Sequence, residues 1–261
     1  MTKTLLFGGS GFFGPVILSK DPNIISVGRT KPPSYCQNKH IQINDLDELN
    51  KLDSIEFDKV IFLIGSSNHH DININIDMGI DFNVYPLNKA LNYFSKKNLK
   101  MFICFTTILL YDQKKIVIPV DETQEINPFA NKYIFSKYLS EQIVKFYQSK
   151  VPSIIVRLSN IYGYTELRRP DLIPTIMQDV FEKEKVEIWS NKPKRDFIFT
   201  EDAADAVLKL LNTDFIGTVN LGSGKMSSLK LISEIAGWKP KFDIQTGLEK
   251  TYNIMKSYYL K

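Results

Sequence analysis

The sequence is poor in the residues that build disulfide frameworks and metal centres. Its 261 residues include 2 cysteines, Cys36 and Cys104, which do not form the C-x-x-C spacing of metal and redox sites. This excludes a small disulfide-stapled scaffold and predicts a reducing, cytoplasmic environment. Of the 3 histidines, two are adjacent in His69-His70-Asp71, and adjacent side chains rarely converge on one ion. We therefore expect a polar loop there and no metal.

Long hydrophobic runs are also lacking. The longest, such as Val60–Ile64 and Met101–Phe105, are far shorter than the roughly 20 residues that a membrane-spanning helix needs. Only three apolar residues separate the opening Met-Thr-Lys-Thr from the first glycine, so we expect no signal peptide. The expectation is a protein that has no membrane partner.

Charge of one sign is not in large excess. The chain has 33 Lys and Arg residues against 29 Asp and Glu residues, which gives a formal net charge of +4. A nucleic-acid-binding protein would present a dense basic face, so nucleic acid is not an expected partner. With 43% hydrophobic and 24% charged residues, the composition is that of an ordinary globular protein, which argues against disorder and coiled coil.

What the sequence contains is an alternation of short apolar strands with helical stretches. A continuous apolar run such as Val60–Ile64 is typical of a strand that is buried on both faces. The alternation predicts an α/β fold with a Rossmann-type, doubly wound parallel sheet. After Gly163 the pieces become shorter and are separated by prolines, which predicts a small cap over the carboxyl edge of the sheet. The predicted strands are Thr4–Phe7, Asn23–Val27, His40–Ile43, Lys59–Ile64, Lys100–Thr106 and Ser153–Leu158, and the predicted helical stretches are Pro15–Ser19, Asp71–Asn98 and Pro128–Ser149.

A glycine-rich segment joins the first predicted strand to the first helix. It follows the pattern G-x-G-x-x-G through Gly9, Gly11 and Gly14. Glycine at these positions permits a tight turn and lets backbone N–H groups approach a pyrophosphate. A glycine turn without a ligand is the alternative, but the placement between strand and helix favours a dinucleotide site. The predicted cofactor-binding residues of this segment are Gly8, Gly9, Ser10, Gly11, Phe12, Phe13 and Gly14.

The end of the second strand indicates which dinucleotide is bound. NAD-binding proteins usually have a carboxylate there, about 20 residues into the motif, which accepts hydrogen bonds from the ribose hydroxyls. Here Arg29 follows Gly28 and no acid is present. An arginine can make a charge-assisted contact with a 2′-phosphate instead. NADP(H) is therefore the favoured cofactor, and the alternatives are NAD(H) and a merely solvated loop arginine.

A tyrosine and a lysine four residues apart, Tyr133 and Lys137, fall within a predicted helix. This spacing puts the phenol and the ammonium on one helical face, where the cation is expected to lower the pKa of the phenol. Upstream, Thr107 follows a buried strand at its carboxyl end, the edge at which open α/β sheets bind ligands. The Tyr-x-x-x-Lys spacing alone is weak evidence for an active site. Its position in the chain, after a glycine loop and after a hydroxyl at a strand end, strengthens that evidence.

In that order, these features resemble the extended short-chain dehydrogenase/reductase superfamily, and in particular its branch that acts on nucleotide sugars. The resemblance spans nearly the whole chain and includes the segments Arg195-Asp196-Phe197 and Gly237-Trp238-Lys239-Pro240. It implies that Tyr133 exchanges a proton with a sugar oxygen and that Thr107 hydrogen-bonds the same oxygen. It also implies that Lys137 holds the nicotinamide ribose and lowers the pKa of the tyrosine.

The resemblance implies further binding residues. For Arg195, a structural pair with Asp196 and a solvated basic turn with Lys192 and Lys194 stay open as alternatives. The other implied cofactor residues are Asp45 and Leu46 at the adenine, Asn83 on the following helix, and Ile64 and Gly65 beside the nicotinamide. The implied contacts to the sugar or diphosphate of the substrate are Asn160 and Arg195.

The resemblance also predicts how the chain is organised. Residues 1–160 form the expected dinucleotide-binding domain, to which 196–214 returns, and 161–261 form a small substrate-binding cap. The cap is shortened, because Ile235-Ala236 run directly into Gly237-Trp238 where relatives have a longer stretch. We expect Trp189 and Trp238 in the core of this cap rather than beneath a base. In relatives the helices that here contain Asn83 and Tyr133 build a dimer, so a homodimer is expected.

Departures from the family pattern narrow the expected reaction. Dehydratases of this branch have Asp-Glu after the catalytic threonine, where this chain has Ile108 and Leu109, which cannot move a proton. The 4-epimerases of this branch hold NAD tightly and usually keep the ribose-binding acid, which is absent here. The favoured function is therefore NADPH-dependent reduction of a nucleotide-linked 4-keto-6-deoxy sugar for surface glycan synthesis. A nucleotide-sugar 4-epimerase and a non-catalytic NADP-binding regulator are the alternatives.

Overall fold

The computed structural model describes residues 3–165, 167, 171–183, 186 and 194–259. Trp189 and Lys192 lie outside the described residues, so the predictions made for them have no structural counterpart. Among the helices that the structure describes, none combines the length and the apolar character needed to cross a bilayer.

A parallel sheet of seven strands forms the centre of the molecule, in the order β3-β2-β1-β4-β5-β6-β9. Every neighbouring pair in it is parallel. The strand order reverses between β1 and β4, which opens a crevice at the carboxyl ends of these strands. The predicted doubly wound α/β fold is confirmed. The strands within the described residues are β1 (Thr4–Phe7), β2 (Ile25–Gly28), β3 (His40–Gln42), β4 (Lys59–Phe62), β5 (Met101–Thr107), β6 (Ser153–Leu158), β7 (Asn160–Tyr162), β8 (Phe197–Phe199) and β9 (Gly217–Leu221).

Helices cover both faces of the sheet because both faces are apolar. Alternate side chains of a strand point to opposite faces, so Leu6 joins one hydrophobic cluster and its neighbour Leu5 joins the other. The first cluster includes residues of α1, α7 and α8, and the second includes residues of α4 and α5. The helices are α1 (Gly14–Lys20), α2 (His69–Ile74), α3 (Ile76–Gly79), α4 (Tyr85–Phe94), α5 (Lys132–Tyr147), α6 (Leu172–Glu182), α7 (Thr200–Leu210), α8 (Lys230–Ala236) and α9 (Ile244–Tyr259).

A smaller unit lies beyond β6. In it β7 and β8 pair in parallel, and a separate hydrophobic cluster joins these strands to α6 and α9 through Tyr162, Met177, Phe199 and Met255. The chain returns to the central sheet from there, since α7 packs against α1 and β9 pairs with β6. Trp238 is fully buried in the cluster beneath α7, on one face of the large sheet, rather than in the cluster of the smaller unit. The division into two domains stays a prediction.

The single long helix predicted over Asp71–Asn98 is wrong. Asn75 has an extended backbone (φ −127°, ψ 114°) and separates α2 from α3, and its side chain accepts a hydrogen bond from the N–H of Asp77. A π-helical turn, Ile80–Val84, then leads into α4, which has Pro86 in its first turn. Asparagine favours such caps because its short side chain competes with the helix for backbone hydrogen bonds. The interruption brings α2 against the start of α5.

Candidate active site

A cavity of about 790 Å³ lies at the carboxyl ends of β1, β4, β5 and β6. It is the place at which a doubly wound sheet binds its ligands. Much of the site predicted from the sequence converges on it from separate parts of the chain. The predicted residues that line it are Gly8, Gly11, Phe12, Phe13, Gly14, Ile64, Gly65, Thr107, Tyr133, Lys137, Asn160 and Arg195.

The glycine loop presents backbone rather than side chains to the cavity. Gly8 has φ +85°, a conformation that favours glycine, and the N–H of Gly11 donates to the carbonyl of Gly8 at 3.1 Å. A Cβ atom on Gly14 would lie 2.6 Å from the Cα of Gly9, so the helix can approach the loop only because a side chain is missing. These features fit the diphosphate of a dinucleotide. Gly9 and Ser10 belong to the loop but not to the wall of the cavity.

The residues predicted for the adenosine end lie outside the cavity. Arg29 is exposed just after β2. The carboxylate of Asp45 accepts a hydrogen bond from the N–H of Asp47 and forms an ion pair with Lys89, whose Nζ lies 3.3 Å from Oδ1. The Asp47 hydrogen bond and the Lys89 ammonium lower the pKa of Asp45. Asp45 thus caps the short 3₁₀ helix that begins at Leu46. Adenine recognition by Asp45 and Leu46, and the contact of Arg29 with a 2′-phosphate, stay predictions.

Tyr133 lies deep in the wall of the cavity beside Thr107, and their exposed fractions are 3% and 7%. Burial raises the pKa of Tyr133, a hydrogen bond with Thr107 opposes this rise, and the charge of Asp171 adds to it. The prediction that Lys137 lowers this pKa is wrong for the structure. The Lys137 ammonium lies 5.9 Å from the centre of the Tyr133 ring. Burial thus favours the protonated form of the phenol.

Lys137 is held by Asn83 rather than by the phenol. Its Nζ donates to Oδ1 of Asn83 at 3.1 Å, and burial lowers its pKa to about 8. The same Oδ1 accepts from the N–H of Ser66 at 2.7 Å, and Nδ2 of Asn83 donates to Ser136 Oγ at 3.1 Å. Asn83 thus ties the loop after β4 to α5. Ser66 and Ser136 were not predicted as site residues, although each adjoins one that was.

Residues of the smaller unit, and residues next to it, form part of the cavity wall. Asn160 donates through Nδ2 to the carbonyl oxygen of Asp196 at 3.1 Å. The buried carboxylate of Asp196 accepts from the backbone N–H groups of Ser223 and Ser227 at 3.0 and 2.9 Å. Asp196 therefore anchors the loop after β9, while Arg195 is exposed at the cavity wall. The arrangement leaves the Arg195 guanidinium where an anionic group in the cavity could reach it.

His69 is a site residue that the sequence did not reveal as such. Its ring stacks on the Tyr133 ring with centroids 3.8 Å apart and planes inclined by 21°, and His69 also lines the cavity. The sequence suggested this position only as an improbable metal ligand. Within the described ranges, no group of three or more His, Cys, Asp or Glu side chains is placed to hold a metal ion.

A buried ion pair supports the floor of the site. Arg157 donates through Nε and Nη2 to both carboxylate oxygens of Glu141 at 2.9 and 2.8 Å. Thr106, beside Thr107, donates its hydroxyl to the same carboxylate at 2.8 Å. The guanidinium also lies 4.8 Å from the ring centre of Tyr111. The pair links α5 to β6 and to the end of β5, which fixes the strand end that presents Thr107.

The fold, with its glycine loop between β1 and α1, is that of the extended short-chain dehydrogenase/reductase superfamily. The sequence profile of the NAD dependent epimerase/dehydratase family matches residues 4–222. The chain belongs to this family. The resemblance inferred from the sequence is thus confirmed.

Individual proteins show the same relationship along the whole chain. A putative UDP-glucose 4-epimerase of Methanocaldococcus jannaschii is 24% identical, with 97% of this chain and 98% of that protein covered. The UDP-glucose 4-epimerase of Thermotoga maritima, crystallised with UDP-glucose, superposes with a TM-score of 0.89 at 18% identity and full coverage of both chains. MoeE5 in complex with UDP-glucuronic acid and NAD superposes with a TM-score of 0.86 at 16% identity, covering 98% of this chain and 99% of that one. These structures share the fold.

Proposed function

We propose that this protein is an NADP-dependent oxidoreductase that reduces the 4-keto group of a nucleotide-linked 4-keto-6-deoxy sugar. The observation that carries the proposal is the buried phenol of Tyr133, which lies beside Thr107 in the cavity and whose pKa burial raises. A nucleotide sugar is the proposed substrate because structural relatives were crystallised with UDP-glucose and UDP-glucuronic acid. The reaction would form a deoxysugar donor for surface glycans.

The protonated form of Tyr133 is the form that a reduction uses. A tyrosine phenol is protonated at neutral pH, and the burial of Tyr133 favours that neutral form. The phenol can therefore give its proton to the alkoxide. An oxidation would need the phenolate at the start, and burial disfavours that form. As the carbonyl carbon is reduced, its oxygen takes up the Tyr133 proton while Thr107 hydrogen-bonds the same oxygen. The phenolate that remains takes up a proton from solvent before the next turnover.

The residues that line the cavity are suited to hold a dinucleotide along it. The backbone of Gly8, Gly11 and Gly14 would hold its diphosphate, and Lys137 would hold the nicotinamide ribose. Arg29 would contact the 2′-phosphate, which is the basis for NADP rather than NAD. The bound cofactor supplies the hydride that adds to the carbonyl carbon.

Dehydration of the sugar is not supported by the residues that follow Thr107. Ile108 and Leu109 line the cavity there, in a short 3₁₀ turn. Removing the proton at C5 and protonating the C6 oxygen both need side chains that exchange protons, which aliphatic groups do not do.

A nucleotide-sugar 4-epimerase is the second candidate. The full-length similarity to a putative UDP-glucose 4-epimerase favours it. An epimerase would use Tyr133, Thr107 and Lys137 in both directions and would return the cofactor to its starting state. The two candidates therefore differ in whether added cofactor is consumed.

The two reactions can be separated with the purified protein. In one assay, 4-keto-6-deoxyglucose linked to dTDP, CDP or UDP is added with NADPH or NADH, and the loss of reduced nicotinamide is followed by absorbance. In the other, UDP-glucose and NAD are added, and UDP-galactose is measured by chromatography. Consumption of NADPH supports the proposal, whereas UDP-galactose formation without net cofactor change establishes the epimerase. If neither occurs while NADP raises the Tm, both candidate reactions fail for these substrates and the NADP-binding regulator becomes the favoured alternative.

The role of Tyr133 is tested with two matched variants on α5. Tyr133→Phe removes the proton donor, and we expect kcat to fall by about 10²–10⁴-fold while the affinity for NADP is kept. Tyr138→Phe removes a phenol on the same helix that does not line the cavity, and should leave kcat unchanged. An unchanged kcat in Tyr133→Phe would refute the assignment.

We also propose that the protein is a homodimer and that it acts in the cytoplasm. Phe82, Tyr85 and Phe146 lie on or beside α4 and α5 and are 49%, 57% and 80% exposed. Large exposed apolar side chains on neighbouring helices are typical of an interface. Light scattering of the purified protein tests the dimer, and a monomeric mass would contradict it.

A further inference from the structure

The short helix α2 contacts the catalytic tyrosine, Tyr133. The sequence predicted one continuous helix in this region, without a separate α2. His69 and Asn73 are one helical turn apart on α2, so they lie on the same face. The His69 ring stacks on the Tyr133 ring at 3.8 Å, and Oδ1 of Asn73 accepts the hydrogen bond of the Tyr133 backbone N–H at 3.0 Å. One face of α2 thus holds both the ring and the backbone of Tyr133.

The position of α2 is itself fixed by several contacts. Its cap Asn68 accepts from the N–H of Asp71 at 3.2 Å and donates to the Asp71 carboxylate at 2.6 Å. The carbonyl of Ile74, at the other end, accepts from Lys132 Nζ at 2.7 Å. Ile72 is fully buried in a hydrophobic cluster that also contains Tyr133. The helix therefore forms a rigid platform on which the His69 ring is presented.

Partial burial against its neighbours favours an uncharged His69 ring, because it lowers the pKa of the imidazole. The charge of Asp171 raises this pKa, and the smaller effects of Arg195 and Lys137 lower it. These groups come from the segment before β8, from α5 and from the start of α6. A neutral imidazole packs on the phenol as one flat ring on another and adds no cation beside Lys137. The contact is then chiefly one of shape.

We propose that His69 is a positioning residue, which holds the Tyr133 ring so that the phenol oxygen stays beside Thr107 and points into the cavity. This inference rests on the proposed function in that it takes Tyr133 as the proton donor. Small displacements of a reacting group lower the rate of a step far more than they lower binding.

Three variants on α2 test this positioning. His69→Ala removes the stacked ring, His69→Phe keeps a flat ring without a titrating group, and Ile74→Ala changes an exposed side chain of the same helix outside the cavity. In whichever reaction the wild-type protein catalyses, His69→Ala should lower kcat by about tenfold to a hundredfold with little change in the KM for the cofactor. His69→Phe should restore most of kcat, and Ile74→Ala should match the wild type.

The result that overturns the inference is specific. If His69→Ala keeps its kcat, or if His69→Phe is as impaired as His69→Ala, the ring stack does not position the tyrosine. An increase in the KM for the sugar at constant kcat would likewise overturn it, because His69 would then bind substrate.

A measurement that needs no turnover separates this inference from the proposed function. The ring-proton NMR signals of Tyr133, assigned by their loss in Tyr133→Phe, should move in His69→Ala because the ring current of the imidazole is lost. In His69→Phe they should stay displaced in the same direction as in the wild type. If the wild-type protein catalyses neither reaction, only the proposed function is refuted. If the Tyr133 signals do not move in His69→Ala, the ring stack is refuted.

Discussion

Replacing Glu141 with alanine removes the carboxylate from the ion pair beneath the active-site cavity. The side chains of Glu141 and Arg157 have exposed fractions of 0% and 6%, and two hydrogen bonds join them. Burial alone would lower the pKa of Arg157, but the hydrogen bond and charge of Glu141 reverse this and raise it. A guanidinium is too basic to lose its proton in a protein, so in Glu141→Ala the Arg157 side chain remains charged in an interior that no longer contains its counter-ion.

The size of the effect follows from the geometry of the pair. Removing one partner of a buried ion pair costs about 3–5 kcal/mol of stability, because the other charge stays desolvated. Thr106 also loses the acceptor of its 2.8 Å hydrogen bond, which contributes about 1 kcal/mol of that loss. The ring of Tyr111, with the guanidinium 4.8 Å from its centre, still interacts with the cation and keeps the loss near the lower end.

Urea unfolding followed by circular dichroism measures this loss of free energy. Glu141→Ala should be less stable than the wild type by about 3–5 kcal/mol, and Thr106→Val by only about 1 kcal/mol. The double variant Glu141→Leu with Arg157→Met should recover most of the difference, since it leaves no unpaired charge. A Glu141→Ala protein within about 1 kcal/mol of the wild type would show that water or another group neutralises Arg157, which refutes the reasoning.

Two further predictions concern Lys137 and its partner. Burial lowers the pKa of Lys137 to about 8 from 10.5, so between these values the unfolded chain binds more protons and stability rises with pH. Lys137→Met should therefore have a higher Tm than the wild type near neutral pH, with the gain shrinking towards about pH 10, and a lower Tm at neutral pH would contradict the assigned shift. Asn83→Ala removes the shared partner of Lys137, Ser66 and Ser136 and should cost about 1–3 kcal/mol in urea unfolding. It should also weaken the rise of Tm caused by NADP, and an unaltered rise would show that Asn83 does not hold Lys137 for the cofactor.

Much of the fold and the outline of the site could be predicted because they depend on local patterns. The glycine loop lies between β1 and α1, as its spacing indicates, because a φ of +85° at Gly8 is a property of the backbone there. Tyr133 and Lys137 share a helix, and Thr107 ends a strand, so their common location follows from periodicity and from the edge rule of parallel sheets. Strands β1 and β6 have the predicted bounds.

Other predictions failed where contacts distant in sequence decide the outcome. The helix predicted through Asn75 is interrupted there because its cap and the docking of α2 on α5 outweigh the apolar periodicity. The expected lowering of the Tyr133 pKa failed because the Lys137 ammonium is bound to Asn83 and the phenol is buried. A spacing of four places two residues on one face but does not determine where a long side chain ends.

The sequence by itself determined the α/β class, the glycine loop, and the positions of the hydroxyl, phenol and ammonium along the chain. Each of these depends on backbone conformation or on helix and strand periods, which act over a few neighbouring residues. Only the tertiary structure decided that His69 stacks on Tyr133, that Asn83 holds Lys137, and that Glu141 neutralises Arg157. Those contacts join elements far apart in the chain, and their energies depend on burial and charge that no local pattern contains.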